Sequence, residues 1–237
     1  GHKDPFVGML KGQILRRCPD AQLVDLTHEI PPHDVRAACF HLEQSVDYFP
    51  PETVHLAVVD PGVGTSRRIL AVRTNTAMLV APDNDLLTRA LVRLGEVLEI
   101  VEVPARRTTS ATFHGRDIMA PVAAEIAKGR PLWELGPGLE IPMVKLSFEP
   151  ADFSEPSVQA SVLIVDHFGN LTLDLSQAEG ETAFTPGSRW SLLGRELSMK
   201  RTYGEVDREE SLLLWSSHGM LELACREGRA DTAWGLQ

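Results

Sequence analysis

The chain has 237 residues, 43% of them hydrophobic and 24% charged, which is ordinary globular composition and enough length for one or two domains. Its 33 acidic residues outnumber 23 basic ones, giving a formal net charge of −10. That balance argues against a nucleic-acid footprint or an anionic membrane surface, which need clustered Lys and Arg. No apolar run reaches the ~18 residues of a spanning helix. Three cysteines, Cys18, Cys39 and Cys225, fit no CxxC pattern and read as reduced, packed thiols of a cytoplasmic protein. The sequence opens at Gly1 with no initiator Met and no signal peptide, so a segment ahead of it is expected to be missing or trimmed.

In chain order, residues 5–18 have apolar positions at helical spacing, with Pro5 near the start and Pro19 beyond the end. Residues 21–28 read as a strand. Residues 30–34 form a loop whose Asp34 caps a helix over 35–49. Strands follow at 54–59, 69–73 and 77–82, then a capped helix at 83–94, a strand at 96–103, and a helix at 115–130 interrupted early by Pro121. This alternation predicts an α/β layer with a largely parallel sheet. Residues 146–159 are polar and Pro-containing, and read as a linker. Beyond it, short apolar runs at 161–166, 170–175, 189–194, 211–215 and 220–225 predict a smaller all-β domain, a barrel or a sandwich.

Four stretches carry candidate chemistry. VVDPGVGTSRR (58–68) places Asp60 at the end of an apolar run, bends through Pro and two Gly, and returns Arg67 and Arg68. Ordinary turn chemistry accounts for Asp-Pro-Gly. An acid at the mouth of a strand, faced by a guanidinium, is also a candidate site. FHGRD (113–117) sets Phe113 and His114 before a helix start, where His114 either caps or packs, or aims into the cleft at the carboxyl ends of parallel strands. DHFGN (166–170) is either a five-residue turn or a ligand edge. In the second case Asp166 takes a cationic amine, Phe168 stacks on a ring and Asn170 bonds a nucleobase. LTHEIPPHD (26–34) holds His28, Glu29 and His33 but lacks helical metal-ligand spacing, so no metal is expected.

Taken in order, GHKDPFVGMLKG, VDLTHEIPPHDVRAA, YFPPETVHLAVVDPGVGT, APDNDLL, TFHGRDIMAP, VDHFGNL and SSHGMLELA resemble one family along nearly the whole chain. It is that of the S-adenosyl-L-methionine hydrolases, or SAM hydroxide adenosyltransferases, water-using relatives of the fluorinase and chlorinase. The resemblance implies an N-terminal α/β domain, residues 1–147, and a C-terminal β-barrel domain, residues 158–237. It further implies a homotrimer with active sites at subunit interfaces. It makes Asp60, Arg67 and His114 the catalytic set, where the halogenases have an aromatic residue and a Tyr at the Asp and His positions. It implies that Asp4 and Asp166 hold the methionine amino group, and that Phe168, Asn170 and Tyr203 hold the adenine. Phe113 joins the substrate-binding set, and Ser217 with His218 lies where the methionine carboxylate is held. His33 stands where the fluorinase has a Trp. The family pattern also has a strand ending in a ribose-binding Asp ahead of the glycine aligned with Gly1, where this sequence begins.

The implied reaction is in-line attack of water on C5′ of the adenosyl group, giving adenosine and L-methionine without metal or redox cofactor. Three rivals differ in class. A halide-using 5′-haloadenosine synthase would show chloride or fluoride dependence. A non-catalytic S-adenosylmethionine or adenosine binder would release no methionine. A metal hydrolase built on His28, His33 and His114 would lose activity with EDTA.

Overall fold

The protein is described from a computed structural model covering residues 1, 3–105, 110–145, 151–154 and 157–236. The chain divides into two compact units, Gly1–Ser147 and Phe148–Gln237.

In the first unit four strands, β1 Val54–Leu56, β2 Ile69–Thr74, β3 Met78–Pro82 and β4 Val97–Glu102, form a sheet in the order β1-β3-β2-β4. β1 is parallel to β3, but β2 is antiparallel to both β3 and β4. The expected largely parallel sheet is therefore a mixed one. The connections explain it. A parallel neighbour needs a crossover of a dozen or more residues, whereas only residues 75–77 separate β2 from β3, which must then form a hairpin. β1, β3 and β4 still run one way, with β2 reversed between β3 and β4. One end of the sheet thus gathers the carboxyl ends of three strands and the start of β2.

Both faces of this sheet are covered. Leu70 and Val72 pack with Ala38 and Leu42 of α2 (Val35–Ser45) and with Ala90 and Leu91 of α3 (Thr88–Leu94). Their neighbours Ile69 and Ala71 point the other way, against Ile118, Met119, Ala123 and Ile126. This period-2 alternation is what a strand between two helical layers requires. Each fully buried large aliphatic side chain contributes roughly 1.5–3 kcal/mol. Asp34 caps α2 as expected, accepting from the Ala37 amide at 2.9 Å.

Several element boundaries differ from expectation. The strand expected over 21–28 forms no ladder, and Val24 and Leu26 are exposed. Among the described residues its apolar side chains find no pairing strand, and a strand is defined by its partner. The helix expected from residue 83 begins only at Thr88, because Asp85 takes a φ of +78° that no helix accommodates. The helix expected over 115–130 opens as a π turn, Gly115–Met119, in which the Ala120 amide donates to Gly115 O, and continues as α4, Ala120–Ala127. Pro121, in the first turn of α4, has no N–H to donate and its ring crowds the carbonyl four residues back, so the turn before it widens. The first helix, α1, spans Phe6–Leu15 and lies against α4.

The second unit is antiparallel. Its strands β5 Val162–Val165, β6 Leu171–Ser176, β10 Met220–Cys225 and β9 Ser211–Trp215 pair in that order. β7 Arg189–Leu192 and β8 Arg195–Ser198 form a separate hairpin, tied to the sheet by a Met199–Leu213 bridge. Among the described residues these ladders trace a four-stranded antiparallel sheet and a hairpin, and no closure into the expected barrel is traced. β8 was not expected from the sequence, since in RELS only Leu197 is buried. The turn Leu193-Gly194, with both φ values positive, forms the tight hairpin. Helices α5 Gln177–Gly180 and α6 Ala230–Trp234 close the core around Leu171, Leu175, Leu221, Leu223 and Trp234. The linker expected over 146–159 lies partly outside the described residues. Within it, Asp152 and Gln159 exchange backbone hydrogen bonds of 3.0 and 2.9 Å.

Candidate active site

The chain leaves β1, runs on to Asp60, turns through Gly62 and Gly64, and comes back with Arg67 just before β2. The turn closes on itself through a Val63 N to Asp60 O bond of 3.3 Å and a Thr65 N to Gly62 O bond of 3.1 Å. Gly64 is required here. Its φ is +80°, and a Cβ at that position would sit 2.7 Å from Ala111 O. The same turn therefore packs on the segment leading to His114. Gly115 makes the second close approach, where a Cβ would lie 3.0 Å from Val58 Cγ1.

These approaches assemble Asp60, Arg67 and His114. Arg67 Nε donates to Asp60 Oδ1 at 2.7 Å, and Arg67 Nη2 donates to Asp60 Oδ2, a two-pronged pair. Both side chains are over nine-tenths buried. Arg67 Nη2 also lies 3.0 Å from His114 Nδ1. A guanidinium only donates, so Nδ1 accepts and the neutral ring carries its proton on Nε2. His114 is buried and its pKa is lowered, first by that burial and next by the Arg67 charge, against smaller opposing effects of Asp60 and Asp117. The result is a sheltered carboxylate, a fixed cation and a neutral imidazole whose free edge is an N–H donor.

Phe113 stands beside this group, edge-on to Phe6 with centroids 4.8 Å apart and with the Arg116 guanidinium 4.4 Å from its ring. Asp4 is exposed in the turn before α1. Among the described residues no three His, Cys, Asp or Glu side chains gather to hold a metal ion. His28 is instead bound to Asp25 at 2.9 Å.

In the second unit Asp166 and Asn170 come together, but mainly on each other. Asp166 accepts from the Asn170 amide N at 2.9 Å and from its Nδ2 at 3.2 Å, and Gly169 completes the turn at φ +85°. The turn reading of DHFGN is thus present in the structure, with Phe168 at its tip, 71% exposed. Asp231 N donates to Gly169 O at 2.9 Å and Arg229 Nη1 to His167 O at 3.0 Å, seating the turn on the start of α6. Ser217 is exposed at the β9–β10 hairpin turn.

One polar residue escaped the sequence reading. Tyr203 Oη donates to Glu222 Oε1 at 2.6 Å, and Glu222 is buried in β10. Burial and the nearby Asp166 charge raise the Glu222 pKa, while the Tyr203 bond lowers it, and burial raises that of Tyr203. The signal was a lone Glu within the apolar run MLELAC.

Comparison with known proteins now adds to this geometry. The SAM hydroxide adenosyltransferase N-terminal domain family matches residues 1–136, and the corresponding C-terminal domain family matches residues 160–237. An (R)-S-adenosyl-L-methionine hydrolase of Salinispora tropica is 41% identical, over 100% of this chain and 91% of its own length. One of Thermus thermophilus is 37% identical, over 100% of this chain and 93% of its own. A fluorinase of Actinoplanes sp. is more distant, at 28% identity over 77% of this chain and 71% of its own. A crystal structure of an uncharacterized conserved protein from Thermotoga maritima superposes with a TM-score of 0.90 at 35% identity, covering 100% of this chain and 94% of that one. Two family domains in sequence, with relatives of this identity across the full chain, establish that the chain belongs to the SAM hydroxide adenosyltransferase family.

Proposed function

We propose that this protein hydrolyses S-adenosyl-L-methionine to adenosine and L-methionine. The observation that carries the reading is the Asp60, Arg67 and His114 cluster, a buried acid held by a cation beside a neutral imidazole. The family membership and the names of the full-length relatives support it.

In the proposed reaction a water oxygen attacks C5′ in line with the departing sulfur. The C5′–O bond forms, the C5′–S bond breaks, and its electron pair leaves on the now neutral thioether of methionine. One water proton remains on the adenosine 5′-hydroxyl and the other is released. Asp60, with lone pairs left after Arg67 has taken one on each oxygen, accepts a hydrogen bond from the water. Arg67 fixes that carboxylate. The His114 Nε2–H donates toward the water oxygen and orients it, and with Nδ1 occupied by Arg67 the ring acts as a donor rather than as a base. Holding the water in a near-attack position lowers such a barrier by about 7–11 kcal/mol. Preorganised groups in a sheltered site then favour the step in which the sulfonium charge is lost.

Residues 1–147 supply these reacting groups in this reading. Residues 158–237 supply the binding groups, with Phe168 and Tyr203 offering ring faces and Asp166 a carboxylate for the cationic substrate. The protein forms a homotrimer whose sites are shared between subunits, an assignment that rests on the family resemblance. Its free cysteines suit a reducing, cytoplasmic setting. Turnover in ¹⁸O-water followed by mass spectrometry tests the reaction. Label is expected in the adenosine 5′-hydroxyl, and adenosine without label would overturn hydrolysis at C5′.

A further inference from the structure

The turn that carries Asp60 and Arg67 is pinned at both ends by the two residues that follow β3. The sheet order explains why. β3 lies between β1 and β2, so the connection from β1 to β2, residues 57–68, must pass across the carboxyl end of β3. Asn84 Nδ2 donates to Val59 O at 2.9 Å, at the bond preceding Asp60. At the other end, Arg68 Nε donates to Asp83 Oδ2 at 2.8 Å, Arg68 Nη2 donates to the same oxygen, and Asp83 N donates to Arg68 O at 2.9 Å. Asp83 is buried and its Oδ1 accepts from Val144 N at 2.9 Å. Arg68 is itself anchored by donating to Ile141 O at 3.0 Å and Pro142 O at 2.8 Å.

Ordinary turn formation does not require these bonds, since the turn already closes through its own backbone. The two pins do something else. They hold the backbone just before Asp60, at Val59, and just after Arg67, at Arg68, on either side of the two side chains that meet each other and His114. We propose that Asp83 and Asn84, with Arg68, are positioning residues for hydrolysis, acting through the backbone on Asp60 and Arg67. This rests on the reading that Asp60, Arg67 and His114 are the reacting set. The family match assigns none of the three.

The test uses Asn84→Ala, which removes the donor to Val59 O, and Arg68→Lys, which keeps a cation but loses the fork that reaches Asp83, Ile141 and Pro142 together. Asp60→Asn is run beside them. Each protein is characterised by thermal melting, by Kd for S-adenosyl-L-homocysteine, which lacks the sulfonium leaving group, by kcat and KM, and by NMR titration of the His114 ring, assigned with His114→Asn. A reacting group displaced by about 1 Å costs about 10²-fold in rate. The expected result is folded Asn84→Ala and Arg68→Lys proteins with unchanged Kd, a kcat lower by about that factor, and a His114 titration moved upward as Arg67 drifts from Nδ1. Asp60 and Asp117 also face the ring and act in the opposite, smaller sense.

Folded variants with wild-type kcat and an unmoved His114 titration would overturn the proposal. So would failure of both variants to fold, since the pins would then serve the fold and not the site. If Asp60→Asn keeps full turnover, the reacting set is misassigned. The His114 titration still decides separately whether the pins hold Arg67 in place.

Discussion

At Asp60 the distinction between a turn former and a reacting group becomes measurable. Asp60→Asn keeps the shape and the backbone bonds of the turn but loses the charge that Arg67 grips with two hydrogen bonds. We expect kcat to fall about 10²–10⁴-fold, the usual range for a positioned acid–base group, with substrate affinity little changed. A mutant that folds and turns over at the wild-type rate would return Asp60 to a role in the turn alone. His114 adds a pH dependence. Only the neutral ring can accept from Arg67, and its pKa is lowered by burial and by Arg67. The acid limb of kcat is therefore expected below the ordinary histidine value of about 6.5, and a limb above it would contradict the geometry. Phe168, exposed at its turn tip, is expected to act by stacking. Phe168→Ala should raise KM more than it lowers kcat, by about 1–3 kcal/mol of base stacking.

At the scale of elements, the active turn depends on close backbone approach more than on side-chain packing. Gly64→Ala places a methyl against Ala111 O and forces an L-residue to φ +80°. The left-handed conformation alone costs about 1–2 kcal/mol, and at about 2–4 °C per kcal/mol for a chain of this size the melting temperature should drop visibly. Activity should fall further than stability, because the displaced turn carries both Asp60 and Arg67. A variant with wild-type melting temperature and kcat would mean that the turn tolerates the methyl. Strands were legible where the chain supplied its own signal. The runs at 211–215 and 220–225 become β9 and β10 without change of boundary. They were illegible where the partner decides. Residues 21–28 are apolar enough to read as a strand yet find no ladder partner among the described residues, while RELS carries little strand signal and pairs because a two-residue turn folds it onto β7.

For the whole molecule, the buried His55 and His114 and the half-buried His41 are expected to weaken the fold on the acid side. His41 and His55 have pKa values lowered by burial, as does His114. A lowered native pKa contributes stability that is full above the unfolded value of about 6.5 and is lost as pH falls through the native value. Glu222, with its raised pKa, works in the opposite sense. With three histidines against one carboxylate, the melting temperature is expected to be lower at pH 5.5 than at pH 7.5. An unchanged or higher value at pH 5.5 would contradict the expectation that the three histidines outweigh Glu222. The proposed homotrimer is checked by light scattering at assay concentration, where an active monomer would remove it.

The sequence by itself determined the helices that cap and pack, the hairpins with explicit turn residues, and the family, because these are written in local periodicity and in long, ordered motifs. It also put Asp60 and Arg67 within one turn of each other, since Gly62 and Gly64 leave few other paths. The tertiary structure alone decided the rest. The reversal of β2 was already implicit in the short gap between the runs at 69–73 and 77–82, but the order β1-β3-β2-β4, which sets β2 between β3 and β4, came only with the fold. The Arg67 bond to His114 joins residues 47 positions apart, and so fixes a tautomer that no local pattern encodes. Glu222 under Tyr203 and Asn84 under Val59 are equally non-local. Each polar group found its partner only when the fold brought separate segments of the chain together, where a buried donor or acceptor must be satisfied.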